Sequence, residues 1–222
     1  MLLGVYLRGS RLVAKSDSKE SEIRKLIKTI CDEGCYSKLG RNAISELVGG
    51  GEEALDAFLK MQHKLPKTDL HPRDLADTIS DVFCEFARKY SDALIDRFAT
   101  GDIEEFQTFW ALGYAEGQRS IDILLAGLKS KAQYSRWAAA ESLIRRKSKQ
   151  AIPALIERLN DRSSIVKTTI LQAMKSNKRY RLPEALPALR RISSSKSNQK
   201  HSPGSVKTAE ELVKLICGED SF

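Results

Sequence analysis

The sequence predicts an all-α chain built as an α-solenoid of stacked helical pairs, and three observations carry that prediction. First, residues 120–192 repeat themselves. A shift of 31 positions lays Ile121, Leu124, Leu128, Arg136, Ala140 and Leu143 on Ile152, Leu155, Leu159, Lys167, Leu171 and Met174. A shift of 34 lays Ala151-Ile-Pro-Ala-Leu155 on Ala185-Leu-Pro-Ala-Leu189. Periods in this range are the signature of solenoids, because one unit cannot bury its apolar face alone. Second, Ile152, Leu155, Ile156 and Leu159 recur at helical spacing, as one face of an amphipathic helix must. Third, that helix has Pro153 in its first turn and a polar break at Asn160-Asp-Arg-Ser163 behind it. Proline costs nothing where the backbone N–H has no helical partner, and Ser163 or Ser164 can cap the following helix. The next helix turns Ile165, Val166, Ile170, Ala173 and Met174 inward and stops in a charged run.

The same unit is legible upstream. We read residues 1–18 as a loose arm and residues 19–222 as one solenoid domain of about six pairs: 20–48, 52–90, 91–114, 118–146, 149–176 and 182–217. Ile23, Leu26, Ile27 and Ile30 form the first stripe; Leu39, Ala43, Ile44, Leu47 and Val48 form the second, ending in Gly49-Gly-Gly51. Glycine past a helix end is the expected terminator. Ala54, Leu55, Phe58 and Leu59 follow, then a connection at 62–73 with Pro66 and Pro72, then Leu75, Ile79, Val82, Phe83 and Phe86. The helix after Gly101 is rich in aromatic residues: Phe106, Phe109, Trp110 and Tyr114. Residues 193–205, SSSKSNQKHSPGS, read as a flexible loop inside the last pair. Leu212, Val213, Leu215 and Ile216 close the C-terminal end, and residues 219–222 are expected to fray.

The A-[IL]-P-A-L openings, Leu159-Asn-Asp161 at the turn and Val166-Lys167 behind it resemble HEAT repeats, in particular the short bacterial form known from phycobilisome lyase subunits. The resemblance implies a right-handed α-α superhelix related to the ARM-type arrays, with second helices lining the concave face. It also implies a ladder between adjacent repeats, made by the turn aspartate and the basic residue after it. Asp161 and Lys167 supply both members, whereas the preceding repeat has Ser130 with Arg136, so a gap in the ladder is expected there. Such arrays serve as scaffolds, adaptors, nucleic-acid clamps and lyase subunits, and the fold does not choose among these.

Charge is uneven. Residues 1–117 hold 16 Lys/Arg against 20 Asp/Glu, and residues 118–222 hold 21 against 9. Such asymmetry points to an acidic partner for the basic half. Arg145, Arg146, Lys147 and Lys149 follow one second helix; Lys175, Lys178, Arg179 and Arg181 follow the next. At the repeat period the two clusters fall in register, as a basic ridge for phosphates or an acidic protein face, with ordinary surface solvation as the plain alternative. Trp110, Tyr114, Tyr134, Arg136, Trp137 and Lys167 are the candidate concave-face residues. For the aromatic residues the alternative is core packing; for Arg136 and Lys167 it is the ladder.

The chemistry of catalysis is missing. Gly49-Gly-Gly51 lacks the following lysine of a phosphate loop, none of the three histidines precedes a glutamate, and Glu104-Glu105 suits an exposed helix start. Cys31, Cys35, Cys84 and Cys217 do not complete a metal site at usual spacing and read as free thiols of a reducing compartment. The apolar run before Arg8 is shorter than a signal core, and far shorter than the about 20 residues of a membrane span. A cytoplasmic, non-catalytic scaffold that binds a protein partner on its concave surface, without cofactor or metal, is the expectation. A nucleic-acid-binding array using the basic half comes second, and a bilin-lyase-like subunit third.

Overall fold

Apolar stripes and glycine punctuation set one helix after another in the computed structural model, which describes residues 19–218. The expected arm at 1–18 and the expected fraying at 219–222 lie outside the described residues. Among those residues there are thirteen α-helices and no strand. The chain divides into two compact units, one up to Glu104 and one from Glu105.

The first unit holds α1 (residues 19–33), α2 (Lys38–Gly49), α3 (Gly51–Met61), α4 (Pro72–Lys89) and α5 (Ser91–Ala99). Ile23, Ile27 and Ile30 are buried on α1, as their spacing requires. The α1–α2 turn is closed by Gly34 in the left-handed region at φ 69° and by Ser37, whose Oγ accepts from the Gly40 N–H at 2.8 Å. A Cβ on Gly40 would lie 1.8 Å from the Gly34 carbonyl oxygen, so only glycine permits this approach. Gly40 therefore takes the inward place expected for Leu39, which is 61% exposed. On α4 the expected stripe shifts in the same way. Val82, Phe83 and Phe86 are buried, Leu75 and Ile79 only half-buried, and Thr78 takes the inner position. Its hydroxyl accepts from the Cys35 N–H at 3.0 Å and donates to the Asp74 carbonyl at 2.6 Å, which satisfies a buried polar group. Phe58 and Phe83 meet edge to face at 5.4 Å and join α3 to α4. Arg97 on α5 grips Asp56 on α3 through Nε at 2.9 Å and Nη2 at 3.3 Å.

Cys31, Cys35 and Cys84 are buried, Cys217 is exposed, and all four are free thiols. Burial pushes the Cys31 and Cys35 thiols above their ordinary range, which suppresses the reactive thiolate. With Ellman's reagent on native protein, only Cys217 is expected to react promptly, and the other three to react once denaturant is added. Rapid native titration of all four thiols would contradict this packing.

The second unit holds α6 (Glu105–Leu112), α7 (Gln118–Gly127), α8 (Gln133–Arg145), α9 (Ile152–Glu157), α10 (Ser164–Ser176), α11 (Leu186–Ser194), α12 (Lys196–His201) and α13 (Pro203–Cys217). The segment expected as the pair 91–114 thus supplies α5 to one unit and α6 to the other. The internal repeat is a repeat of burial. Ala151 and Ala185 are both fully buried, and Leu155 and Leu189 are both essentially so. Pro153 and Pro187 stand in the first turns of α9 and α11. Second helices pack on second helices in succession: α6 on α8, α8 on α10, α10 on α13. Residues 193–205 depart from expectation. They are mostly helical: α11 runs to Ser194, and Ser195 Oγ caps α12 through the Asn198 N–H at 3.3 Å. Because α12 buries no residue, it carries no apolar period to read. On α13 the inward face is Val206, Ala209 and Leu212, with Val213 and Ile216 half-buried and Leu215 40% exposed.

Candidate functional site

On the second unit's face of second helices, two rows of residues spaced by four confront each other. Phe106, Trp110 and Tyr114 run along α6 and its C-terminal turn; Trp137, Glu141 and Arg145 run along α8. Spacing of four puts side chains on one helix face, and α6 packs on α8, so the rows meet. Phe106 stacks on Trp110 at 6.4 Å and on Trp137 at 6.1 Å, and the two indoles lie 5.7 Å apart. The Trp137 Nε1–H donates to Thr169 Oγ1 on α10 at 3.1 Å, fixing the ring. The Arg145 guanidinium sits over Trp110 at 4.6 Å and over Tyr114 at 4.4 Å, cation–π geometry on two rings. Phe106, Trp110, Tyr114, Trp137 and Arg145 are all half-buried, whereas Phe109 is core. Gly113 makes room: a Cβ there would fall 2.6 Å from Ser142 Oγ and 2.8 Å from Arg145 Nη1.

Arg136 has a different role. It is 4% exposed and forks onto Asp161, Nε to Oδ2 and Nη2 to Oδ1, each at 2.8 Å. Its Nη1 donates to the Ser130 and Lys131 carbonyls at 3.0 Å. Burial raises the Asp161 carboxyl, but the Arg136 hydrogen bonds and the Ser163 N–H outweigh it and hold the group below the usual carboxylate range. The rung between these repeats is therefore made. Where the preceding turn lacks its aspartate, the Ser130 hydroxyl donates to Glu105 instead. Lys167 is half-buried on α10, and Tyr134 stands apart, 57% exposed at the start of α8.

The basic ridge divides on inspection. Arg145 belongs to the aromatic cluster. Arg146 donates to Ser120 Oγ and to the Gly117 carbonyl, and burial lowers its pKa with the Glu116 charge opposing. Arg179 donates to the Lys147 carbonyl at 3.0 Å, Arg181 to the Met174 and Lys175 carbonyls, and Lys175 pairs with Glu211 at 2.8 Å. Lys147, Lys149 and Lys178 are exposed. Arg146, Arg179 and Arg181 thus tie down backbone carbonyls while these lysines face solvent. Among the described residues no group of three or more His, Cys, Asp or Glu could hold a metal, and no helix is long and apolar enough to cross a membrane.

Phe106 completes the aromatic cluster and Thr169 tethers it. The spacing of four from Phe106 to Trp110 is the signal for the first; nothing in sequence marks the second. No curated protein matches the chain. A family model does, that of HEAT repeats, over residues 107–175 and again over 121–201, without reference to the lyase type. These residues contain the paired helices, the Arg136–Asp161 rung and, apart from Phe106, the aromatic cluster, and over residues 107–201 the chain is built of HEAT repeats.

Proposed function

We propose that this protein is a non-catalytic interaction scaffold that docks a protein partner on the second-helix face of its HEAT repeats. HEAT repeats are commonly interaction scaffolds, which supports the general reading. The observation that carries the specific one is the half-buried cluster of Phe106, Trp110, Tyr114, Trp137 and Arg145. Tryptophan, tyrosine and arginine are the residues most enriched among interface hot spots, because each offers a large rigid contact area with a polar handle. Nucleic-acid binding ranks second, because the arginines that would meet phosphates donate to carbonyls or lie over rings. The lyase-like reading has no observation of its own.

The test is site-specific photocrosslinking in an extract of the source cells, with benzoylphenylalanine at the exposed Tyr134, one turn before Trp137 on α8, or at Glu157 on α9 as the control. Adducts at position 134 to a protein that then binds the purified chain, without the same adducts at 157, are expected. Equal labelling at both positions, or adducts that nuclease removes, would reject the proposal.

A further inference from the structure

We infer that the patch around Trp137 and Arg145 receives a short extended segment in which an Asp or Glu stands within three residues of a leucine-type or aromatic side chain. This rests on the reading that a protein docks on this face. The carrying observation is Arg145 itself. Arg97, Arg136, Arg146, Arg158 and Arg181 each hold at least two acceptors. Arg145 has no hydrogen bond and no ion pair among the described residues, and its Nη1 is buried without an acceptor. Glu141 stands one turn earlier on α8 and does not pair with it. A guanidinium presents five donors, and leaving them unmet is costly once water is excluded. The rings hold the charge in place without satisfying it; Nη1 is closed off, and an arriving carboxylate would meet the other donors of the half-buried guanidinium. The surrounding charge has the matching sign, with 21 Lys/Arg against 9 Asp/Glu over residues 118–222.

The rings supply the other half of the recognition. Trp110 is engaged at once by Phe106, Trp137 and Arg145, and Trp137 is pinned by Thr169. Such rings form an apolar wall, not an open slot into which a nucleobase could slide, and a wall accepts an aliphatic or aromatic side chain. By way of Trp110 the guanidinium and the Trp137 ring are at most roughly 10 Å apart, the reach of three extended residues at about 3.3 Å each. That span sets the spacing between carboxylate and apolar group.

The two tryptophans of the chain are Trp110 and Trp137, so selectively excited tryptophan fluorescence comes from this patch. A random twelve-residue peptide display library would be panned on the full chain, and winners resynthesised without tryptophan and with amidated C-termini. Enriched peptides are expected to pair Asp or Glu with Leu, Phe or Tyr within three residues and to change the emission on binding. Arg145→Gln is expected to weaken such peptides about tenfold, the worth of a charge-assisted hydrogen bond, while barely affecting the Asp→Asn peptide. Circular dichroism checks that the variant is folded, and Trp137→Phe, which keeps a ring, gives a second route to the same loss. Winners that change the emission but lack an acid, or that ignore Arg145→Gln, would overturn the inference and leave the docking reading standing. Winners that leave the emission unchanged, or tighter binding of a twelve-nucleotide oligothymidylate, would overturn both.

Discussion

Arg136→Ala is expected to cost roughly 3–5 kcal/mol in denaturant unfolding, because it strands a buried carboxylate. Asp161 is 8% exposed and loses both forked hydrogen bonds, keeping only the Ser163 N–H and a 4.0 Å approach from Arg158. The Ser130 carbonyl loses this donor at the same time, and the Lys131 carbonyl keeps only Arg162 Nη2 at 3.0 Å. Replacing both charges, as in Arg136→Met with Asp161→Leu, should recover much of the loss, since a hydrophobic pair avoids desolvating two ions. A double variant as unstable as the single one would mean that the carbonyl contacts matter more than the charge pair. The same rung makes a pH prediction. The folded Asp161 carboxyl lies below its unfolded value, so its contribution is complete above the unfolded value, near pH 4, and fades as pH falls through the folded one. Unfolding measured from pH 6 down to pH 2 should therefore show a steeper acid loss in the native chain than in the Met/Leu variant. Parallel curves would remove Asp161 from the acid response.

The ladder shows what the sequence carries and what it withholds. Burial of Ile152, Leu155, Leu159, Val166 and Met174 was readable because one exposed helix face leaves an apolar period on the other. Leu39 and Thr78 were not, because a close backbone approach at Gly34 and Gly40, and a hydroxyl that closes a turn, override the apolar pattern. Nor was α12, a polar helix with no buried side to betray it. The candidate site was legible in parts. Trp110, Tyr114 and Trp137 stood out by type, and Phe106 by its spacing of four. Arg145, however, read as one of a row of basic residues. Its neighbours Arg146 and Arg181 reach backbone carbonyls while it reaches rings, a distinction made only by which helix each one faces. Charge runs announce a sign but not whether each member is already satisfied.

Leu155→Ala and Leu159→Ala are each expected to cost roughly 2–5 kcal/mol, through lost transfer energy and a cavity that the surroundings only partly fill. Both side chains are 1% exposed. The site cannot easily collapse, because α9 is only six residues long, begins with Pro153 in its first turn and is bounded by 3₁₀ turns at Lys149–Ala151 and Arg158–Asn160. A short helix held at both ends has little freedom to slide into a void. Ile156, half-buried on the same helix, is the internal control. Its truncation should cost under about 1.5 kcal/mol, since a side chain still partly in water gives up less transfer energy. Tryptophan fluorescence is a suitable probe for these variants, because α10 packs on α8 and Thr169 ties Trp137 to α10. Loss of the α9–α10 pair should therefore alter the indole signal as well as the helical one. If Ile156→Ala proved as costly as Leu155→Ala, the inward face of α9 would be rotated from the one described. The shift that lays Leu155 on Leu189 would then be a coincidence of spelling and not of packing.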